Sequence, residues 1–372
     1  MSRLRLAVVG AGHLGRIHAR LASALPDIQL TAVVDPVEAA RSRVADEFGA
    51  QAMADYRELF GLVDAAIVAA PTSHHFQLAS ELLRGGLHVL VEKPITTTVE
   101  EAAQLVRSAR NRQLVLQVGH VERFNPAFTS VQEKLYDPKF IDAHRLSGYT
   151  FRSTDVGVVL DLMIHDIDVV LNLVQSPVEQ IEAVGVSVLS GHEDMVNARL
   201  RFASGCVANL TASRVSHTNR RSMQVFTSQC CANINFADRC TSLIEPSEEV
   251  LSRAFDEKSL NPAQQEHFRE NLFAELLRKH DLPTPDVNAI EEEQLDFAKA
   301  IRTGAQPCVT GSDGLDALSV AHTILEQVAA HQWDGAAGSR QGPLAMPESP
   351  NVLAGPDRWS LDDTVVIRRK AG

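Results

Sequence analysis

The stretch Gly10-Ala-Gly12-His-Leu-Gly15 constrains this chain more than any other, because it lies between an apolar run, Arg5 to Val9, and an amphipathic segment, Arg16 to Leu25, that Pro26 ends. An apolar run stopped by glycine, followed by Ile17, Leu21 and Leu25 at helical spacing, predicts a strand, a tight turn and a helix. In such a unit the first glycine makes the turn, the second lets backbone approach a pyrophosphate, and the third lets helix pack on strand. The helix N-terminus adds free N–H groups and partial positive charge. A second β-branched run, Leu30 to Val34, ends in Asp35, whose carboxylate can accept hydrogen bonds from the adenosine ribose hydroxyls and repels a 2′-phosphate. The expected cofactor is therefore NAD rather than NADP, held by Gly10, Gly12, His13, Leu14, Gly15 and Asp35.

The pattern continues. A helix is expected over Glu38 to Phe48, then a strand at Ala65 to Ala70, a helix through Phe76 to Leu83, a strand at His88 to Val91, a helix from Val99 to Ala109 and a strand at Val115 to Val118. Continuous apolar strands alternating with helices imply a parallel sheet covered on both faces. The fold class is α/β, with a Rossmann domain over residues 1–121. From 122 to 333 the texture changes. Gln180 to Leu189, Val196 to Phe202, Cys206 to Ser213 and Met223 to Thr227 are strand candidates joined by Gly, Ser and Asn turns, which predicts a second α/β domain built on a large, mostly antiparallel sheet. Residues 245–288 are charged, helix-leaning and broken by prolines. Helices follow at Ala289 to Arg302 and Asp313 to His331, the latter with Leu315, Leu318, Ala321, Ile324 and Val328 on one face. Residues 334–372 read as a loosely held tail in which Thr364 to Ile367 can add an edge strand.

Composition narrows the function classes. With 35 Lys+Arg against 47 Asp+Glu the net charge is −12, and no basic run is present, so a nucleic-acid partner is not expected. The five cysteines lack CxxC spacing, which argues against a disulfide framework or a zinc site. No apolar span is long enough for a membrane anchor, and the opening residues read as a first strand rather than a signal peptide. A cytoplasmic protein is expected.

Two clusters carry chemistry. Glu92-Lys93-Pro94 follows a buried strand at the carboxyl edge, where open α/β sheets hold ligands, and its lysine can polarise a hydroxyl or carbonyl. Asp161-Leu-Met-Ile-His165-Asp166-Ile-Asp168 places Asp161, His165 and Asp168 on one helical face. There a carboxylate can orient an imidazole that takes the proton of a sugar hydroxyl. A capped helix start near Asp161 is the plainer reading. A metal at His165, Asp166 and Asp168 is not expected, because neighbouring side chains on a helix diverge.

Taken together, the GxGxxG with His18 after it, Ala70-Pro71-Thr72 with His75, Glu92-Lys93-Pro94 and Asp161-x3-His165-x2-Asp168 resemble the Gfo/Idh/MocA oxidoreductases over residues 4 to about 331. The resemblance implies Lys93 and His165 as a catalytic pair with Asp161 supporting the histidine. It places Ala70, Pro71, Thr72, His75, Glu92 and Lys93 near the cofactor and implies a homo-oligomer, dimer or tetramer, through the antiparallel sheet. Within the family, Gln117 to Pro126, Asp161 to Asp168 and Ala208 to Arg214 are similar to the UDP-N-acetylglucosamine 3-dehydrogenase group, which implies a sugar-nucleotide substrate, an aminotransferase acting on the product and a place in lipid A biosynthesis. A different sugar or polyol, such as an inositol or aldose, and a non-catalytic NAD-binding regulator are the alternatives. Arg123 and Asn125 suit substrate positioning or, equally, a helix start at Asn125-Pro126. Asp168 and Arg214 are further substrate-binding candidates, Arg214 because guanidinium suits pyrophosphate oxygens; as a surface salt-bridge partner it would have no such role. His74, His120 and His144 are read as structural.

Overall fold

The computed structural model describes residues 3–151, 156–332 and 342–345. Its first part is a six-stranded parallel sheet of β1 Leu4–Val9, β2 Ile28–Val34, β3 Gln51–Met53, β4 Ala65–Val68, β5 His88–Glu92 and β6 Leu116–Gly119, in the order β3-β2-β1-β4-β5-β6. The helices between them are α1 His13–Ala24, α2 Glu38–Phe48, α3 His75–Arg84 and α4 Val99–Arg112. Ala7, Val8, Ile67, Val68, Val89 and Val91 are fully buried, as strands covered on both faces require. The order reverses between β1 and β4, and the crevice at the carboxyl ends of those strands is where ligands of such sheets bind.

After a short helix α5 Pro126–Thr129, the chain builds a second sheet from β7 Phe140–Leu146, β8 Val178–Ser187, β9 Met195–Phe202, β10 Val207–Ser213, β11 Arg220–Phe226, β12 Cys231–Asn235, β13 Cys240–Pro246, β14 Leu277–Leu282 and the two-residue β15 Leu344–Ala345. Its order is β14-β13-β12-β11-β7-β10-β9-β8-β15, antiparallel except where β7 meets β10 and β8 meets β15. One face is apolar: in β9, Val196, Ala198, Leu200 and Phe202 are buried while the residues between them are exposed. That face packs on α6 Ile164–Val174 and on α10 Gly311–Ala330, whose Leu318, Ala321, Ile324 and Val328 are buried. The other face carries polar pairs such as Arg199–Asn209 and Asn197–Thr211. Between β13 and β14 lie α7 Glu248–Leu251 and α8 Pro262–Glu275, neither with a buried residue. Helix α9 Ala289–Thr303 returns to pack on α1, and α10 touches α4 and β6, so the C-terminal helices tie the second sheet to the first.

Sequence does not predict β3, β7, β12, β13 or β14; the three-residue β3, Gln51-Ala-Met53, is too short to show a pattern. In β7 the inward residues are Ile141, Ala143 and Arg145, and the inward arginine hides the alternation. Arg145 is buried because Glu122 and Asp166, both at 2.7 Å, pair with it. Short, polar β12, β13 and β14 lack an apolar run, so β14 had been read as part of a helix-leaning excursion. The tail contributes β15; Thr364 to Ile367, the stretch expected to add an edge strand, lies outside the described residues, as does most of 334–372. Among the described residues no helix is long and apolar enough to cross a membrane.

Candidate active site

The glycine loop lines one wall of a cleft of about 520 Å³ together with Leu14, Asp35, Ala69, Ala70, Pro71, Thr72, His75, Glu92, Lys93, Pro94, Val156, Leu160 and Asp161. A larger groove, about 700 Å³, lies beside the C-terminus of α4 and the turn into α10 and contains none of these residues. Gly10 has φ +105°, a conformation that disfavours a side chain, and a Cβ there would come within 2.6 Å of Ala69 O. A Cβ on Gly15 would sit 1.8 Å from Gly10 O, so helix and loop are in backbone contact. A Cβ on Gly12 would meet nothing within 4 Å among the described residues, and Gly12 caps α1 without a side-chain hydrogen bond. This is the cradle a dinucleotide pyrophosphate requires. Asp35, just past the end of β2, lines the cleft beside the loop; its carboxylate accepts from Ala11 N and Val37 N, each at 2.8 Å. His75 joins the two strand-end loops, with Nδ1 2.8 Å from Pro94 O and Nε2 2.8 Å from Ala70 O. His13 and Gly15 do not line the cleft; Gly15 acts through packing.

Lys93 Nζ donates to Asp161 O at 2.6 Å and to Asp161 Oδ1 at 3.2 Å. Residues 159–163 are wound as a π-turn and become α-helical only from Ile164. Asp161 is expected to support His165, but among the described residues no hydrogen bond joins the two, and the carboxylate holds Lys93. His165 Nδ1 is buried without a hydrogen-bond partner among the described residues, and the His120 ring stands edge-on to it with centroids 6.4 Å apart. Burial foremost, then the Lys93 and Arg145 charges, holds His165 well below its ordinary pKa, so its imidazole is neutral at pH 7.

His120, read from sequence as structural, is fully buried with neither nitrogen partnered among the described residues. Burial, with the charges of Lys93 and Arg123, pushes it from 6.5 down to about 3. Between those values the unfolded chain binds a proton that the folded chain refuses. Stability from this group is therefore complete above about 6.5 and is lost as pH falls through that window. In urea titrations against pH, His120→Gln should flatten the acid-side loss of stability by up to one proton relative to wild type; an unchanged slope would mean that His120 is protonated in the folded protein.

The substrate-binding candidates fare differently. Arg123 and Asp168 are buried and face each other at 3.3 Å, and Arg123 also donates to Cys308 O. Burial raises the Asp168 carboxyl to about 7 against the Arg123 charge. Asn125 caps α5 by accepting from Ala127 N and donates to Glu122 and Phe236 O, which is the helix-start reading. Arg214 is buried, bonded to Asp194 at 2.7 Å, to Ser190 and to Val156 O, so it braces a cleft-lining segment rather than turning its guanidinium to the cleft. None of these four residues is among those that line the cleft. Val156 and Leu160, both apolar, line it and carried no sequence signal.

A Rossmann cradle joined to a lysine–carboxylate pair beside a neutral histidine defines an oxidoreductase that uses a nicotinamide dinucleotide. Comparison with known proteins agrees. Residues 4–120 match the Gfo/Idh/MocA oxidoreductase family, NAD-binding Rossmann fold, and residues 129–232 match the C-terminal domain of the same family. The chain is 38% identical over 237 residues to the UDP-N-acetylglucosamine 3-dehydrogenase of Acidithiobacillus ferrooxidans, an alignment covering 63% of this chain and 75% of that one. The crystal structure of that enzyme superposes with a TM-score of 0.77 at 31% identity, over 88% of this chain and 98% of the other. The scyllo-inositol 2-dehydrogenase (NAD+) of Bacillus subtilis is 27% identical over 58% of this chain and 68% of its own. The chain belongs to the Gfo/Idh/MocA oxidoreductase family.

Proposed function

We propose that the protein oxidises a hydroxyl of a sugar nucleotide to a ketone, at C3 of UDP-N-acetylglucosamine. The observation that carries the reaction class is the Lys93–Asp161 pair in the glycine-loop cleft, with neutral His165 following in the next helix. Similarity to the Acidithiobacillus enzyme favours the sugar nucleotide. NAD bound along Gly10, Gly12 and Asp35 supplies the hydride acceptor. An ammonium has three donors; Asp161 takes two of those on Lys93, and the remaining one holds the sugar oxygen. His165, with Nδ1 buried, accepts the hydroxyl proton at Nε2 as the C–H electrons leave. The 3-keto product is then substrate for an aminotransferase that makes a 3-amino sugar for lipid A, in the cytoplasm. Residues 1–121 hold the cofactor, 122–333 face the substrate, and the polar sheet face joins copies into a dimer or tetramer.

A polyol substrate is the second reading, favoured by the inositol dehydrogenases among the relatives. Assaying UDP-N-acetylglucosamine, UDP-glucose and myo-inositol side by side separates the two, and turnover of inositol alone would overturn the first.

Asp35 makes a further expectation specific. Its carboxylate repels a 2′-phosphate, so NADP should turn over at least about tenfold less well than NAD, and Asp35→Ser should narrow that gap. Equal kcat/KM for both cofactors in the wild type would remove this role.

A further inference from the structure

Beneath the cleft, Glu92 meets side chains that the reaction above does not use. His18 Nε2 on α1 lies 2.7 Å from Glu92 Oε1. Gln294 Nε2 on α9 donates to His18 Nδ1 at 3.0 Å and to His18 O at 3.2 Å. The backbone contact fixes the amide with its nitrogen toward His18, so Nδ1 accepts and Nε2–H donates to Glu92. Next to Gln294 is Glu293, fully buried, with neither carboxyl oxygen partnered among the described residues. Ligand atoms of His18, Glu92 and Glu293 lie within 4.8 Å of one another.

Two carboxylates this close in a dry interior are not both ionised unless something positive joins them. Glu92 has the donors: His18 Nε2–H, and Lys93 N at 3.3 Å. It also reaches the solvent of the cleft, which Glu293 does not. A metal ion here would need a lone pair on His18 Nε2, which the tautomer set by Gln294 denies. The charged and titratable groups of the packed elements are His18 of α1, Glu92 and Lys93 at the end of β5, Asp296 of α9, and Glu122 and Arg123 of the 121–124 turn. Arg123 is committed to Asp168 and Glu122 to Arg145, so neither supplies a counter-charge.

We propose that Glu293 is a neutral carboxylic acid that donates its proton to the Glu92 carboxylate and so serves as a positioning residue for Lys93. This rests on the role given to Lys93 above. Glu92 is then gripped by His18 on one side and Glu293 on the other, with its Oε2 packed against Gly119, where a Cβ would come within 2.8 Å. A fixed Glu92 fixes the backbone from which Lys93 extends toward Asp161. Burial first, then the charges of Glu92 and Asp296, raises the Glu293 carboxyl well above its ordinary range. When it does ionise as the pH rises, a second negative charge appears beside Glu92 and disturbs the lysine.

The test uses the full chain. Infrared difference spectra of wild type against Glu293→Gln, taken with no sugar present, should show the carbonyl band of a neutral acid near pH 7 that the variant lacks. In turnover assays Glu293→Gln, which mimics the neutral acid, should keep kcat within about threefold and lose the fall that the wild type shows as the pH rises. Glu293→Ala should lower kcat by about tenfold or more with NAD affinity within about threefold. No neutral-acid band, a stoichiometric metal in elemental analysis, or a glutamine variant as impaired as alanine at every pH would overturn the proposal. The infrared arm needs no substrate, so a mistaken sugar cannot be confused with a mistaken proton.

Discussion

His165→Asn lowers kcat by about 10²- to 10⁴-fold and leaves NAD affinity within about threefold, the loss expected when a general base is removed. Asparagine fills much of the same space and keeps a polar tip, but its amide cannot take a proton. The wild-type imidazole can because burial and the Lys93 and Arg145 charges keep it neutral. The same depression moves the acid limb of kcat/KM for this group below the ordinary histidine value, since the base form persists to lower pH. Unchanged turnover in the variant would end the assignment, and a parallel loss of NAD affinity would recast His165 as a cofactor contact.

Replacing glycines of the loop separates packing from binding. Gly15→Ala puts a methyl 1.8 Å from Gly10 O, a clash with fixed backbone that no rotamer relieves. The helix must lift from the strand, costing about 3 kcal/mol or more, with both melting temperature and NAD affinity falling. Gly12→Ala meets nothing within 4 Å and should melt like wild type. Its methyl nonetheless stands where the pyrophosphate approaches, so NAD affinity should drop by about tenfold or more. If Gly12→Ala bound NAD normally, the cofactor would not cross the loop as described.

Much of this was legible in the sequence. The first sheet was readable because its strands are continuous apolar runs and its turns announce themselves through glycine and Asp35. The second was readable only where alternation is clean, as in β9; Arg145 broke it in β7, and an arginine faces inward there only because Glu122 and Asp166 are brought to it from elsewhere in the chain. The Lys93–Asp161 bond could not be read from spacing, because its two residues lie 68 positions apart in the chain. Arg123, Asn125 and Arg214 were charged or polar residues near a site, and their burial depends on partners far away in sequence. Glu293 did leave a signal, since it shares a helical face with Phe297 and Ala300, both buried. An acid on an apolar face asks for a proton or a partner.

The central claim is oxidation of a sugar nucleotide, and the most direct measurement mixes the protein with NAD and UDP-N-acetylglucosamine and follows the absorbance of reduced nicotinamide, with an aminotransferase added to draw off the ketone. The account predicts an absorbance rise that His165→Asn nearly abolishes, together with a 3-amino sugar nucleotide in the coupled reaction. No rise with this sugar, coupled or not, while myo-inositol or another polyol is oxidised readily, would contradict it.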